Sequence, residues 1–356
     1  MTEEMLDILK ILAPGTMLRN GLDSILKAKT GALIVMSESE EVAKISDGGF
    51  AINEEFNPSN IYELAKMDGA IIITRDCKKI LKANVQLVPD HKIKTKETGT
   101  RHRTAERVAK QTNEIVICIS ERRGIITIFK GDIRYIINET SSVIMRANQT
   151  LEALEKYKAV FDNMLNILSE HEFDDIVSLE TVANTIYRSE IIMRMEAEVT
   201  RNIVELGDEG RLVNMQLEEL IANVEQEEKK IIQDYMSTKK KTSRNPDALL
   251  KDIRKIDKKE LVGLEKIIKI LGYDIGVDIL DLNVSSKGYR ILSKVPKMPS
   301  SVIEKLINTF LNLQGVCSAT IEELDEVDGI GEIRAKMIYQ SLKRLQEQYI
   351  LKGYNI

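Results

Sequence analysis

Apolar residues in the first 145 positions fall in short, dense runs rather than at helical spacing. Ala32–Met36, Ala70–Ile73, Ile80–Leu81, Ile115–Ile119, Ile125–Phe129 and Arg134–Ile137 are such runs, several of them apolar without interruption. A short unbroken run suits a strand covered on both faces, because successive side chains point to opposite sides of a sheet. Between the runs, Ser59–Lys66 follows Pro58 with a serine available as cap, and Thr104–Gln111 carries a second helical pattern. The pattern predicts an α/β domain with a mixed central sheet.

From about Asn148 the spacing becomes that of amphipathic helices. One set is Leu151, Leu154, Tyr157, Phe161, Met164, Leu165 and Leu168, and a second is Val182, Ile186, Ile192, Met195, Val199 and Ile203. A third follows Gly207–Gly210: Leu212, Leu217, Leu220, Ile221, Val224, Ile231 and Tyr235. Apolar positions three and four apart line one stripe of a helix, so these sets predict an all-α spine that spaces two end domains. Beyond Pro296 and Pro299, Val302–Leu313, Ile321–Leu324 and Ile333–Leu345 read as three further helices. The expected division is 1–145, 146–290 and 291–356.

Composition narrows the function. The 356 residues hold 51 Lys and Arg against 56 Asp and Glu, a net charge of −5, so any nucleic-acid contact has to be local. Aromatics are 4% with no Trp, which disfavours broad stacking platforms, and six prolines permit long helices. No apolar run approaches the roughly 20 residues of a membrane span. The acidic start Met1-Thr2-Glu3-Glu4 is unlike a signal peptide, and Cys77, Cys118 and Cys317 are isolated. The expectation is a cytoplasmic protein with no membrane partner. Residues 238–260 carry nine Lys and Arg against four acids, which reads as a solvated face or as a phosphate-contacting patch.

Two segments carry candidate chemistry. In Met67-Asp68-Gly69-Ala70, an acid and a glycine open a buried strand. That places a carboxylate at the rim of the sheet, where it suits Mg²⁺ or Mn²⁺ on a triphosphate; an Asp-Gly turn explains the same residues more plainly. In Glu97-Thr98-Gly99-Thr100-Arg101-His102-Arg103-Thr104, two arginines flank one of three histidines at a helix start, a polyphosphate cradle. Ser120 and Glu121 lie in a turn between two strands, close enough in pattern to line the same pocket. No P-loop, dinucleotide fingerprint or nucleophile elbow is present.

Near the C-terminus, Asp328-Gly329-Ile330-Gly331-Glu332 joins two helical patterns. The glycines permit a tight hairpin that exposes backbone amides to an anion, Ile330 points inward, and Arg334 and Lys336 follow in the next turns. This segment resembles the helix-hairpin-helix module of DNA repair proteins, with residues 291–314 as a degenerate first half. From Arg290 onward nine basic and eight acidic residues nearly cancel, so DNA binding is expected to be weak, sequence-independent and salt-sensitive.

Met67–Ala70, Thr98–Lys110 and Ile119–Ile126, with Ala13–Leu18 and Gly31–Ile34, resemble the diadenylate cyclase (DAC) family. The resemblance implies condensation of two ATP into cyclic di-AMP with release of two pyrophosphates, using Mg²⁺ or Mn²⁺. It assigns Asp68 to the metal and the attacking 3′-hydroxyl, and Gly69 and Ala70 to packing against the nucleotide. Leu87 would contact adenine, while Thr100, Arg101, His102, Arg103 and Thr104 hold the phosphates with Ser120 and Glu121 nearby. Two nucleotides must face each other, which a two-fold pair of domains supplies. The resemblance further implies a homo-octamer; the presence of both modules on one chain leads to the expectation that branched or other double-stranded DNA at the hairpin regulates synthesis. A DNA-repair scaffold whose first domain only senses a nucleotide is the alternative.

Overall fold

The computed structural model describes residues 3–237, 245–276 and 278–353. The first elements in order are α1 (Glu3–Ile11), α2 (Met17–Lys27), β1 (Ala32–Met36), α3 (Glu40–Lys44), β2 (Ser46–Asp47), β3 (Phe50–Glu55) and α4 (Pro58–Leu64). They continue with β4 (Ala70–Ile73), β5 (Lys79–Leu87), α5 (Thr100–Thr112), β6 (Ile115–Ser120), β7 (Ile125–Lys130) and β8 (Ile133–Ile136). The strands form one sheet in the order β2-β5-β4-β1-β6-β7-β8, with β3 also paired to β5. Only β1 and β4 run parallel among these pairs. The sheet is therefore mixed, as the apolar runs predict.

Both faces are covered, which explains the continuous runs. Ile34 stands opposite Ile71 and Ile117, and these join Leu22, Ile25 and Ile61 of α2 and α4 on one side. Leu33, Val35, Ile72, Val116 and Cys118 point the other way, against Ala105, Val108 and Ala109 of α5. The sequence pattern understates β5, predicted only at Ile80–Leu81. Along this strand Ile80, Ala83, Val85 and Leu87 are buried while Lys82, Asn84 and Gln86 are exposed, so polar positions interrupt the run. The edge strands β2 and β3 are mostly exposed and carry no apolar signal.

Helix α5 starts at Thr100 rather than at the predicted Thr104. Gly99 holds an extended cap (φ −79°, ψ 142°), and Arg103 N–H already donates to the Gly99 carbonyl at 2.9 Å. The Arg-His-Arg segment thus lies in the first helical turn and not in a loop before it.

The remaining elements are helical: α6 (Thr140–Asp174), α7 (Leu179–Leu206), a 3-10 turn at Gly207–Gly210, α8 (Arg211–Ile221), α9 (Val224–Tyr235), α10 (Pro246–Arg254), α11 (Lys258–Leu261) and α12 (Glu265–Ile270). They end with α13 (Tyr289–Leu292), α14 (Ser300–Phe310), α15 (Leu313–Ser318), α16 (Ile321–Asp325) and α17 (Glu332–Gly353). The chain divides into two compact units, Met1–Asn148 with Thr200–Asn214, and Gln149–Val199 with Met215–Ile356. The helix predicted over Val302–Leu313 breaks at Leu311, whose φ is +71°, and Asn312 caps α15 by accepting from Gly315 N–H at 2.8 Å. Of the basic stretch, Lys239, Lys240, Lys241 and Arg244 lie outside the described residues. Lys251 and Arg254 sit on α10 and Lys255 caps its end; Arg254 pairs with Glu225 at 2.8 Å.

The second unit contains a buried ionic bolt. Arg290 is fully buried; its guanidinium donates to Ser169 Oγ at 2.8 Å and to the Glu172 carboxylate. Tyr235 O–H donates to the same carboxylate at 2.9 Å. The Asp234 carboxylate accepts from the backbone N–H groups of Gly288 (2.9 Å), Tyr289 (2.6 Å) and Arg290 (3.0 Å). Helices α6, α9 and α13 are thereby locked together.

Glu228 has no such partner. It is fully buried, neither carboxylate oxygen is hydrogen-bonded, and burial beside Glu190 pushes its carboxyl up to about 8. A group raised in the folded state stabilises below its unfolded value and loses that stabilisation as pH rises through the folded one. The melting temperature is therefore expected to fall between about pH 5 and pH 8 and to level off above, and Glu228→Gln to flatten that slope. Melting curves across the range check it; an equally steep slope in the variant would contradict it.

Candidate active site

One cleft of about 870 Å³ opens at the end of the sheet in the first unit. Asp68, Gly69 and Ala70 enter it from the start of β4, Leu87 from the end of β5, and Ser120 and Glu121 from the β6–β7 turn. Thr100, Arg101, His102 and Thr104 enter from the first turns of α5. Segments far apart in sequence thus share one wall.

Arg103 is the exception: it is exposed and does not line the cleft. Two positions along a helix are about 200° apart, so Arg101 and Arg103 cannot both face one pocket.

The loop before α5 is tied to the helix. The buried Glu106 carboxylate accepts from Lys110 Nζ at 2.8 Å, from Lys96 N–H at 3.1 Å and from the Thr95 hydroxyl. Arg107 donates to the Ile93 carbonyl at 3.0 Å. With Gly99 held in this way, the first amides of α5 have no helical acceptor and offer donors to an anion.

His102 departs from the cationic role its flanking arginines suggest. Partial burial lowers its imidazole below the usual histidine value, Arg123, Arg134 and Arg101 push the same way, and Glu97 opposes them. The ring is neutral at pH 7, so the cradle carries guanidinium charge and a neutral hydrogen-bonding ring. Asp47, Asp68 and Glu121 supply carboxylates to the rim. Among the described residues no three His, Cys, Asp or Glu side chains gather into a protein-only metal cage. One or two carboxylates fit a Mg²⁺ or Mn²⁺ ion whose remaining ligands are nucleotide phosphates and water.

The C-terminal hairpin joins α16 to α17. Gly329 has φ +85°, Ile330 is buried, and Ile330 N–H donates to the Val327 carbonyl at 2.9 Å. Arg334 donates to the Gly329 carbonyl at 2.5 Å and Lys336 pairs with Glu332 at 2.5 Å, so the two cations follow the hairpin and are held to its own chain. Gly331 is open: a Cβ there would meet nothing within 4 Å.

Comparison with known proteins assigns the fold. The family described as DisA bacterial checkpoint controller nucleotide-binding matches residues 19–133, and the DisA bacterial checkpoint controller linker region matches 137–280. A Carboxydothermus hydrogenoformans protein named DNA integrity scanning protein DisA is 52% identical over 346 residues, 97% of this chain and 98% of the relative. Proteins of the same name from Acetivibrio thermocellus and Clostridium botulinum (strain Loch Maree) are 51% and 50% identical over 349 residues, 98% of this chain and 96% and 98% of the relatives. The chain belongs to the DisA family. It has diadenylate cyclase activity, carried by the α/β domain with its mixed sheet. No described helix is long and apolar enough to cross a membrane.

In this DisA-family chain the structure adds cleft residues that pattern reading passes over. Asp47, Gly48 and Gly49 come from the β2–β3 edge, and Asn84 and Gln86 from the polar positions of β5. Asn84 adopts φ +53° at an irregularity in the β4–β5 pairing, and its Oδ1 accepts from Gly69 N–H at 3.2 Å. A Cβ on Gly69 would lie 2.3 Å from the Asn84 carbonyl carbon, so only glycine lets β5 close on the residue after Asp68. An irregular sheet edge gives no periodic signal; the turn-forming Asp47-Gly48-Gly49 was the clue available in the sequence.

Gly31 performs a similar service for Arg101. A Cβ there would sit 2.1 Å from Arg101 Nη1. Because a flexible side chain can yield, Gly31→Ala is expected to keep the fold and displace the guanidinium. Losing a charge-assisted hydrogen bond costs about 1.5–3 kcal/mol, so ATP affinity should fall roughly tenfold or more with an unchanged melting curve. Titration calorimetry checks it; wild-type affinity would show that Arg101 does not hold the nucleotide.

Proposed function

We propose that the cleft binds one ATP and that two copies, paired head to head, condense two ATP into cyclic di-AMP. The observation that carries this reading is the meeting of Asp68-Gly69-Ala70, Leu87, the Thr100–Thr104 turn and Ser120-Glu121 in one cleft. Thr100, Arg101, His102, Thr104 and the free amides of α5 hold the phosphates. Leu87 and Ala70 take the adenosine, with Gly69 allowing close approach, and Ser120 and Glu121 border the site. Asp68 is the metal-binding carboxylate and orients the attacking 3′-hydroxyl. Mg²⁺ or Mn²⁺, when bound with the triphosphate, offsets charge developing on the α-phosphate.

The nucleophile belongs to the substrate, so no activated Ser or Cys is needed. Each 3′-oxygen attacks the other nucleotide's α-phosphorus, the bond to the β-phosphate oxygen breaks, pyrophosphate leaves, and the hydroxyl proton is released. The protein's share is alignment and electrostatics. Each ring bond needs a facing nucleotide, which a two-fold pair supplies. We assign Arg103, exposed outside the cleft, to the phosphates of a nucleotide held by the facing copy. We extend the pairing to a homo-octamer in the cytoplasm, a compartment that suits three free thiols.

Mass spectrometry of products from ATP with Mg²⁺ or Mn²⁺ tests the chemistry. Cyclic di-AMP and two pyrophosphates are expected. ATP bound without conversion would favour a nucleotide sensor on a DNA scaffold instead.

Residues 291–356 form the DNA-binding part in this reading, with the hairpin Gly329-Ile330-Gly331 and the side chains of Arg334 and Lys336 on the phosphate backbone; Ile330 N–H is taken by the Val327 carbonyl, so the Gly329 and Gly331 amides are the donors. DNA held there, branched DNA included, regulates synthesis. Gly331→Leu is expected to weaken DNA binding about tenfold in gel-shift titrations, since the side chain would project from an open position, where a Cβ meets nothing within 4 Å, into the space a phosphate would use. Unchanged binding would refute the hairpin contact.

A further inference from the structure

We propose that the Cys118 thiol is a positioning group for His102: it donates its S–H to Nδ1, fixes the imidazole proton on Nε2, and so sets which ring nitrogen can donate when a polyphosphate binds. The inference deepens the reading of the cleft above and rests on it.

Three observations carry it. Cys118 on β6 is fully buried beneath α5, and its Sγ lies 3.3 Å from His102 Nδ1. His102 lines the nucleotide cleft, whereas its Nε2 is shielded from solvent and has no hydrogen-bond partner in the protein. The ring stands edge-on to Phe129, centroids 6.3 Å apart, beside the Cys118 contact.

A neutral imidazole has one N–H and one bare nitrogen, and the hydrogen bond made by one decides what the other can do. Burial pushes the Cys118 thiol up to about 12, so it keeps its proton throughout the working range. A thiol sulfur is a weak acceptor, whereas a bare imidazole nitrogen is a good one. The favourable pairing is therefore S–H to Nδ1, leaving N–H at Nε2. A buried donor without an acceptor is costly, and because Nε2 has no accessible surface in the free protein, a turn of the ring on nucleotide binding is what brings its N–H to a phosphate oxygen. Cys118 touches no substrate and acts only through the ring.

Solid-state ¹⁵N NMR of the full chain labelled at histidine tests this, with His102 assigned among three histidines by its loss in His102→Gln. At pH 7.5 without nucleotide, His102 should show a bare Nδ1 and a protonated Nε2. Cys118→Ala should mix the tautomers and lower kcat/KM about fivefold, while Cys118→Ser, which retains a donor, should keep the wild-type tautomer and stay within about twofold. A non-hydrolysable ATP analogue should shift the Nε2 resonance. A proton on Nδ1 in the wild type, or an unchanged tautomer in Cys118→Ala, overturns the role of Cys118 whatever the nucleotide does. The expected tautomer with an Nε2 that the bound analogue leaves unmoved overturns the phosphate contact of His102 instead.

Discussion

Replacing Asp68 by asparagine should cost about three orders of magnitude in cyclic di-AMP turnover while leaving the melting curve in place. The side chain is exposed at the mouth of the sheet, and the substitution keeps its shape and removes only its charge. A charge-offsetting metal supplies several kcal/mol to a reaction of this kind, and each 1.36 kcal/mol is a factor of ten in rate. Nucleotide binding should fall less than turnover, because in the proposed reading Arg101 and the start of α5 would still hold the phosphates. Steady-state rates with direct binding measurements separate the two effects. A variant that makes product at the wild-type rate would remove Asp68 from the chemistry.

The largest expected effect on stability lies in the other unit. Arg290→Met should destabilise the chain by about 3–5 kcal/mol, because it leaves the Glu172 carboxylate buried without its cation. The double variant Arg290→Met with Glu172→Gln should recover part of that loss, since no uncompensated charge remains and Tyr235 O–H still has an acceptor. Denaturant titration of both variants checks the pair. Equal loss in the two would show that packing around Arg290, rather than charge pairing, holds α13 in place.

What was legible in the sequence follows the same division between periodic and irregular features. Four of the six runs that announce the sheet, in β1, β4, β6 and β7, are buried on both faces, so their composition carries the signal, and Asp68 and Gly69 are read at the start of one of them. The DisA relationship extends that reading to the helical region. The β2–β3 edge is polar and exposed, so its contribution of Asp47, Gly48 and Gly49 to the cleft is set by pairing with β5 and not by hydrophobicity. The Arg-His-Arg segment was visible as a cluster of cations, but its helical phase was not. That phase directs Arg101 into the cleft and Arg103 away from it, and burial makes the histidine neutral. The buried bolt at Arg290 depends on tertiary neighbours up to 121 residues away, which no local pattern contains.

The central claim is that two heads, each holding one ATP, must meet before either ring bond can close. The direct measurement is the rate of cyclic di-AMP formation per chain, followed by mass spectrometry as the protein is diluted at saturating ATP. The rate per chain should collapse at the dilution where light scattering shows the assembly falling to monomers, with ATP still bound. A constant rate per chain through that transition would mean that one head completes the reaction alone, and the head-to-head mechanism would be wrong.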